Sequence, residues 1–262
     1  MVKPTADYLS QAQKVIHKVF LGARPRLLAA HGSIDETIKD DNSPVTVLDK
    51  ELEGELREVL DQFDSSIGFE GEESGKAGSE KTFWLVDPID GTESFIRGLP
   101  GVKHMATLID NGEPVYAYVY KPLNDELFVA TKGKGAFRNG DQLHVSQRPL
   151  TRCWLELSSP LDNSSTLPVI KAVAEKINGF RIMGDHTLIA EGKIDGAFAY
   201  KPKGGPWDYA PRALILKEAG AKVANLGLDT YDFRNFDFLT IHPAAFDELM
   251  PVIMKAIEEN PS

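Results

Sequence analysis

The stretch Thr82-Phe83-Trp84-Leu85-Val86-Asp87-Pro88-Ile89-Asp90-Gly91-Thr92 constrains this chain more than any other. An apolar, aromatic-rich run this short, bounded by turn residues, predicts a buried strand. Asp87 then stands at the strand's C-terminal end. Pro88 has no N–H for a sheet ladder, so pairing is expected to stop there. Gly91 permits a sharp turn at either sign of φ. Thr92 can open a helical turn to Arg97, whose unpaired N–H groups point back toward the aspartates. Two carboxylates with free donors at one strand end suit a divalent cation beside a phosphate. A plain strand-to-helix turn is the other reading, since Asp-Pro and Asp-Gly are common turn dipeptides.

The chain's 262 residues can hold one large domain or two closely packed halves. A net charge of −10 with no basic block argues against a nucleic-acid polymer or an anionic membrane as partner. Cys153 is the only cysteine, which leaves no internal disulfide and fits a reducing cytoplasm. It reads as a small core residue and not as a nucleophile. Met1 to Asp7 lacks the apolar core of a secretion signal, and no run of about 18 apolar residues is present. A cytoplasmic protein is therefore expected.

Helical spacing of Leu9, Ala12, Ile16, Val19 and Phe20 predicts a helix over about Thr5 to Ala30, with a kink or break at Pro25. The polar segment Ser33 to Ser43 reads as a mobile surface segment or a β-turn excursion. A second helix follows Pro44, striped by Leu48, Leu52, Leu56, Val59, Leu60 and Phe63, with Asp49 near its start. Ile67 to Phe69 is a short strand leading to Glu72, and a Gly/Ser/Lys loop then runs to Lys81. His104 to Asp110 and Pro114 to Lys121 flank Asn111-Gly112, a hairpin signal. The pattern changes near Ser146 to Arg152, which suggests a first half of residues 1–148 and a second of 149–262. In the second, strands are expected at Cys153–Leu157, Arg181–Met183, Gly196–Tyr200 and Phe238–Ile241. Helices are expected at Leu167–Ile177, His186–Glu191 and Ala244–Glu258, with a further one opened by Trp207-Asp208. That helix takes Asp208 as N-cap and Gly220 at its end.

Several of these strings, taken in order, resemble the signatures of the inositol monophosphatase family. They are Gly71-Glu72-Glu73-Ser74, Asp87-Pro88-Ile89-Asp90-Gly91-Thr92, and Trp207-Asp208-Tyr209-Ala210 closing on Glu218-Ala219-Gly220. Ser43-Pro44-Val45-Thr46 leading to Asp49 is similar to the family's first motif, and the run Thr131 to Gly140 to its mid-chain turn. The likeness spans nearly the whole chain, and the ordered set is far more specific than any one motif.

The resemblance implies an α+β fold, a five-layer α-β-α-β-α sandwich with an antiparallel sheet first and a mixed α/β half second. It implies Mg²⁺-dependent hydrolysis of a phosphate monoester, with two or three ions per active site. By that likeness Glu72, Asp87 and the Ile89 carbonyl hold one ion, and Asp87, Asp90 and Asp208 a second. Asp49 and Thr92 pair to orient and deprotonate a water, with Glu72 in the catalytic set. By the same likeness Asp90, Gly91, Thr92, Gly184 and Asp208 are expected to face substrate, and Lys201 joins them as a candidate on its charge alone. A homodimer and lithium sensitivity follow from the same likeness.

Two departures bear on substrate. The family tends to carry a glutamate shortly before its Trp-Asp pair, where it can accept sugar hydroxyls. Here Tyr200 to Pro206 has no acid but has Lys201 and Lys203, a set that favours a second anionic group. The segment Gly184 to Leu188 is about one helical turn short, and His186 there reads as a surface or capping histidine. Inositol monophosphate is the default substrate. A 3′-phosphonucleotide, fructose 1,6-bisphosphate and histidinol phosphate are the alternatives, and a non-catalytic regulatory protein on the same fold is the reading from another class.

Overall fold

The computed structural model describes residues 4–161 and 166–260, so Met1 to Lys3 of the N-terminal stretch lie outside it. The chain forms two compact units, Met1–Val129 and Ala130–Ser262. That division falls ahead of the pattern change at Ser146 to Arg152.

The first unit opens on α1 (Ala6–Ala30), capped by Thr5, whose Oγ1 accepts the Tyr8 N–H at 3.2 Å. No break occurs at Pro25: Ala23 and Leu27 on either side are both buried, and the packed stripe outweighs one lost helical bond. The polar segment after α1 forms a hairpin, β1 (Glu36–Ile38) antiparallel to β2 (Pro44–Thr46). Helix α2 (Val47–Phe63) buries Leu48, Leu52, Leu56 and Leu60 as its stripe requires, and two acids with them, Asp49 and Glu53.

Next come β3 (Gly68–Gly71), β4 (Gly75–Ala77), β5 (Thr82–Asp90), the short α3 (Thr92–Ile96), β6 (Lys103–Asp110), β7 (Glu113–Lys121) and β8 (Glu126–Thr131). Their order across the sheet is β8-β7-β6-β5-β3-β4. Strand β5 runs parallel to β3 and antiparallel to β6, and every residue of it is buried. The Asn111-Gly112 hairpin forms as expected, both residues at positive φ (51° and 80°) between paired Asp110 and Glu113. Strand β4 lies in the stretch read as a loop, because Gly75-Lys76-Ala77 carries no strand-forming side chain. Leu9, Ile16 and Phe20 of α1 and Leu56 and Leu60 of α2 pack on Trp84, Val86, Leu108 and Tyr118 of the sheet. This core holds β5, and with it the aspartates at its end.

The second unit begins with β9 (Gly135–Arg138) and β10 (Asp141–Gln142), a hairpin around Asn139-Gly140. It continues with β11 (Trp154–Leu157), α4 (Leu167–Ala174), β12 (Gly179–Arg181), α5 (Thr187–Ala190) and β13 (Gly196–Ala199). It ends with α6 (Pro206–Glu218), β14 (Lys222–Asn225), β15 (Phe238–Ile241) and α7 (Pro243–Glu259). The second sheet has the order β12-β11-β13-β15-β14. Its first three strands are parallel, and β15 is antiparallel to both neighbours. Helix α4 ends at Ala174, short of the expected Ile177, and β12 precedes the expected Arg181–Met183. Val169, Val173, Phe246, Leu249 and Ile253 form the core with Leu155 and Phe198. Cys153 belongs to this core, and burial pushes its thiol up to about 12, so it is no nucleophile. The α+β class is as expected, with antiparallel pairing dominant in the first sheet and a mixed second one. Among the described residues no helix is long and apolar enough to cross a membrane.

Candidate active site

The register between β5 and β6 shifts at the strand end. Asp87 stands opposite Met105 and Asp90 opposite Lys103. Pro88 and Ile89 therefore face the single His104, a β-bulge, and Pro88 loses nothing there by having no N–H. His104 is fully buried, stacks on Phe20 at 4.5 Å, and bonds the Pro88 carbonyl through Nδ1. Burial brings its pKa down to about 4 despite that bond, so the ring is neutral. A carbonyl can only accept, which puts the proton on Nδ1. The bulge leaves Asp87 and Asp90, 1% and 9% exposed, each with a carboxylate oxygen within 4.8 Å of the other.

Gly91 follows with φ of 87°, and a Cβ there would lie 3.2 Å from the Gly101 carbonyl oxygen. Only glycine fits both demands. The turn delivers the Thr92 hydroxyl 2.9 Å from the Ile89 carbonyl and 3.1 Å from Asp49 Oδ1. One proton thus has two acceptors in reach. Asp49, in the first turn of α2, takes the Thr46 N–H (2.8 Å) and hydroxyl (2.5 Å) on Oδ2. Burial raises its pKa and outweighs the lowering by Thr46 and Thr92. The two members of the expected pair are therefore side by side.

Glu72 leaves β3 with its N–H on the Val86 carbonyl at 3.1 Å. Lys39, in the β1–β2 turn, places Nζ 2.8 Å from Glu72 and 2.8 Å from Glu73. Burial opposes that charge, but the two glutamates prevail and raise its pKa. Glu53 accepts the Glu73 N–H at 2.8 Å and the Ser74 N–H at 2.6 Å, which fixes this turn. A Cβ at Gly71 would strike the Glu53 carboxylate at 2.4 Å. Sequence reasoning missed Glu53, Lys39, His104 and Lys103; an acid inside the apolar stripe of α2 was the one available signal. Lys103 Nζ lies 2.5 Å from Asp90 Oδ2 and donates to the Gly101 carbonyl at 2.7 Å. The donors assigned to metal in this unit (Glu72, Asp87, Asp90 and the Ile89 carbonyl) are all oxygen, the type Mg²⁺ takes.

In the second unit Asp208 is the third residue of α6 and not its N-cap. Gly205 caps the helix, Pro206 takes the first position, and Asp208 Oδ2 accepts the Gly205 N–H at 2.6 Å. Helix α6 ends in a Schellman motif, Ala221 N–H to Leu216 and Gly220 N–H to Lys217. Its last residue, Glu218, accepts the N–H groups of Gly133 (2.8 Å) and Gly135 (2.9 Å), tying two of the sequence motifs together. Gly184 adopts φ of 63°. His186 is not a surface residue: it is buried 3.3 Å from Glu156, with its ring edge-on to Phe238, and its side chain caps nothing. Lys201 has a left-handed backbone (φ 52°), an N–H on Asp237 at 2.6 Å and Nζ over Tyr200 at 5.2 Å. Lys203 is exposed, its carbonyl accepting the Tyr209 hydroxyl at 2.6 Å.

A family model described as the inositol monophosphatase family matches residues 2–262. The chain is 30% identical over 241 residues to a putative Nus factor SuhB of Neisseria meningitidis serogroup B, covering 87% of this chain and 92% of that protein. It is 31% identical over 230 residues to a fructose-1,6-bisphosphatase/inositol-1-monophosphatase of Aquifex aeolicus, covering 84% and 85%. Among solved structures, a Thermotoga maritima IMPase superposes with a TM-score of 0.83 at 26% identity, covering 97% of this chain and 99% of that one.

Proposed function

Because the chain belongs to the inositol monophosphatase family, we propose that it hydrolyses a small phosphate monoester with Mg²⁺. One observation carries the reading. Asp87 and Asp90 are buried within 4.8 Å of each other, and two residues further on Thr92, half-buried, bonds the buried Asp49. Burying adjacent like charges opposes folding, and a cation would offset that.

The roles follow the resemblance. Glu72, Asp87 and the Ile89 carbonyl would hold one ion, and Asp87 and Asp90 would take part in holding another. Mg²⁺, when bound, neutralises the phosphate dianion and acidifies a water next to it. Thr92 donates its proton to Asp49, which leaves lone pairs on Oγ1 to accept one from that water. Asp49, its pKa raised by burial, is the terminal acceptor. The N–H groups of Gly91 and Thr92 would bind phosphate oxygens.

For substrate, inositol 1-phosphate is the reference. Lys201, with Gly184 in the same unit, favours esters bearing a second phosphate or carboxylate. Lithium inhibition and a cytoplasmic setting accompany this reading. The name of the Neisseria relative supports a second one, a regulatory role. A chain with only that role gains nothing from the Asp49–Thr92 bond, so catalysis is preferred. Asp87→Asn tests the choice. It should remove Mg²⁺-dependent phosphate release, while the circular dichroism spectrum and the metal-free melting temperature stay at or above those of the wild type. Full activity in the variant would overturn the metal assignment.

A further inference from the structure

Lys103 is the more deeply buried of the two buried lysines among the described residues, and it is the one directed at an aspartate of the candidate site. It is 2% exposed, and Nζ lies 2.5 Å from Asp90 Oδ2. Two features fix the ammonium in place. Lys103 stands directly across the ladder from Asp90, on the far side of the bulge, and Nζ also donates to the Gly101 carbonyl at 2.7 Å. A lysine at a sheet surface usually bends its tip into water; here backbone pairing and a nearly closed environment hold the charge against the carboxylate.

We infer that Lys103 is a built-in counter-ion for Asp90 that a divalent cation must displace or tolerate to reach that carboxylate. The inference rests on the metal-dependent reading above and goes beyond it. It makes Asp90 a weaker cation ligand in this chain than the carboxylates alone would be. Two consequences follow from the charges. Without metal, Lys103 neutralises part of the Asp87–Asp90 repulsion and stabilises the fold. With metal, the fixed positive charge beside the ion weakens its binding.

Calorimetric titration of Mg²⁺ into the metal-free full chain, with melting curves in chelator and in saturating Mg²⁺, separates the possibilities. Lys103→Met should bind Mg²⁺ at least about ten-fold more tightly than the wild type, the scale of one neighbouring unit charge. It should melt lower in chelator and gain more from Mg²⁺. Lys103→Arg, which keeps the charge, should retain wild-type affinity. If Lys103→Met does not fold, Lys103→Gln, which keeps a donor for the Gly101 carbonyl, supplies the same comparison. Equal Mg²⁺ affinity in the charged and neutral chains would overturn the inference and leave the metal reading standing. Mg²⁺ binding to none of the chains would overturn both.

Discussion

At the residue scale the account rests on a hydroxyl and a carboxylate that meet from 43 positions apart, Thr92 and Asp49. Neither can supply a base alone. A threonine hydroxyl has no useful acidity near neutral pH, and an aspartate that cannot reach the water cannot take its proton. Asp49 is held on its other oxygen by Thr46, so its free lone pairs face Thr92. Thr92→Ala should lower kcat roughly 10²- to 10⁴-fold, the usual worth of general-base help, with little change in Mg²⁺ affinity. A rate near that of the wild type in steady-state assays would make the pair a structural cap and nothing more. Asp87 and Asp90 stood out in the sequence as carboxylates closing a short apolar run, but the stop expected at Pro88 does not occur: the bulge absorbs the proline and β5 pairs on to Asp90. Lys103 did not stand out. At the start of a strand a lysine reads as solvated, and only the bulge turns it onto Asp90.

At the scale of elements, the bulge between β5 and β6 is the device that brings Asp87 and Asp90 together at the strand end. His104 holds it by gripping the Pro88 carbonyl from a buried, neutral ring. That grip has a pH signature. The folded pKa is about 4 against an ordinary 6.5, so between these values the unfolded chain takes up a proton that the folded one refuses. The resulting stability is complete above about pH 6.5 and is lost as the pH falls toward 4, on the order of 3 kcal/mol in all. Urea unfolding at pH 7, 6 and 5 should show this slope in the wild type and a flatter one in His104→Phe, which keeps the stack on Phe20. Parallel slopes would mean that His104 is not the titrating group.

The same scale shows why some elements could be read from sequence and others could not. The Asn111-Gly112 hairpin and the glycine stop of α6 depend on local backbone demands, so the residues announce them. Of the kink or break expected at Pro25 the break does not occur, and α6 starts at Pro206, one residue before the expected Trp207, because the deciding factors lie elsewhere. Burial of a long stripe carries α1 through its proline, and Pro206 suits the first helical position. Strand β14, Lys222–Asn225, is too short to show a period and is defined by its pairing with β15.

At the scale of the whole molecule, each unit has its own apolar core, and the family resemblance runs across both. Composition contributed little here: a net charge of −10 does not tell a phosphatase from a regulator. The ordered motifs did more, because each restates a local geometry, as the Glu218 bonds to Gly133 and Gly135 illustrate. A homodimer is proposed on the same resemblance; light scattering should return about twice the 28.8 kDa chain mass, and a monomer would refute it.

The claim that this is a Mg²⁺-dependent phosphomonoesterase is tested most directly by phosphate release from a panel of monoesters. The panel pairs inositol 1-phosphate with bisphosphates, each with Mg²⁺ and with excess chelator. Release with Mg²⁺, its loss in chelator and faster turnover of the doubly anionic esters are the predicted result. Release that persists in chelator, or none from any ester at saturating Mg²⁺, would contradict it.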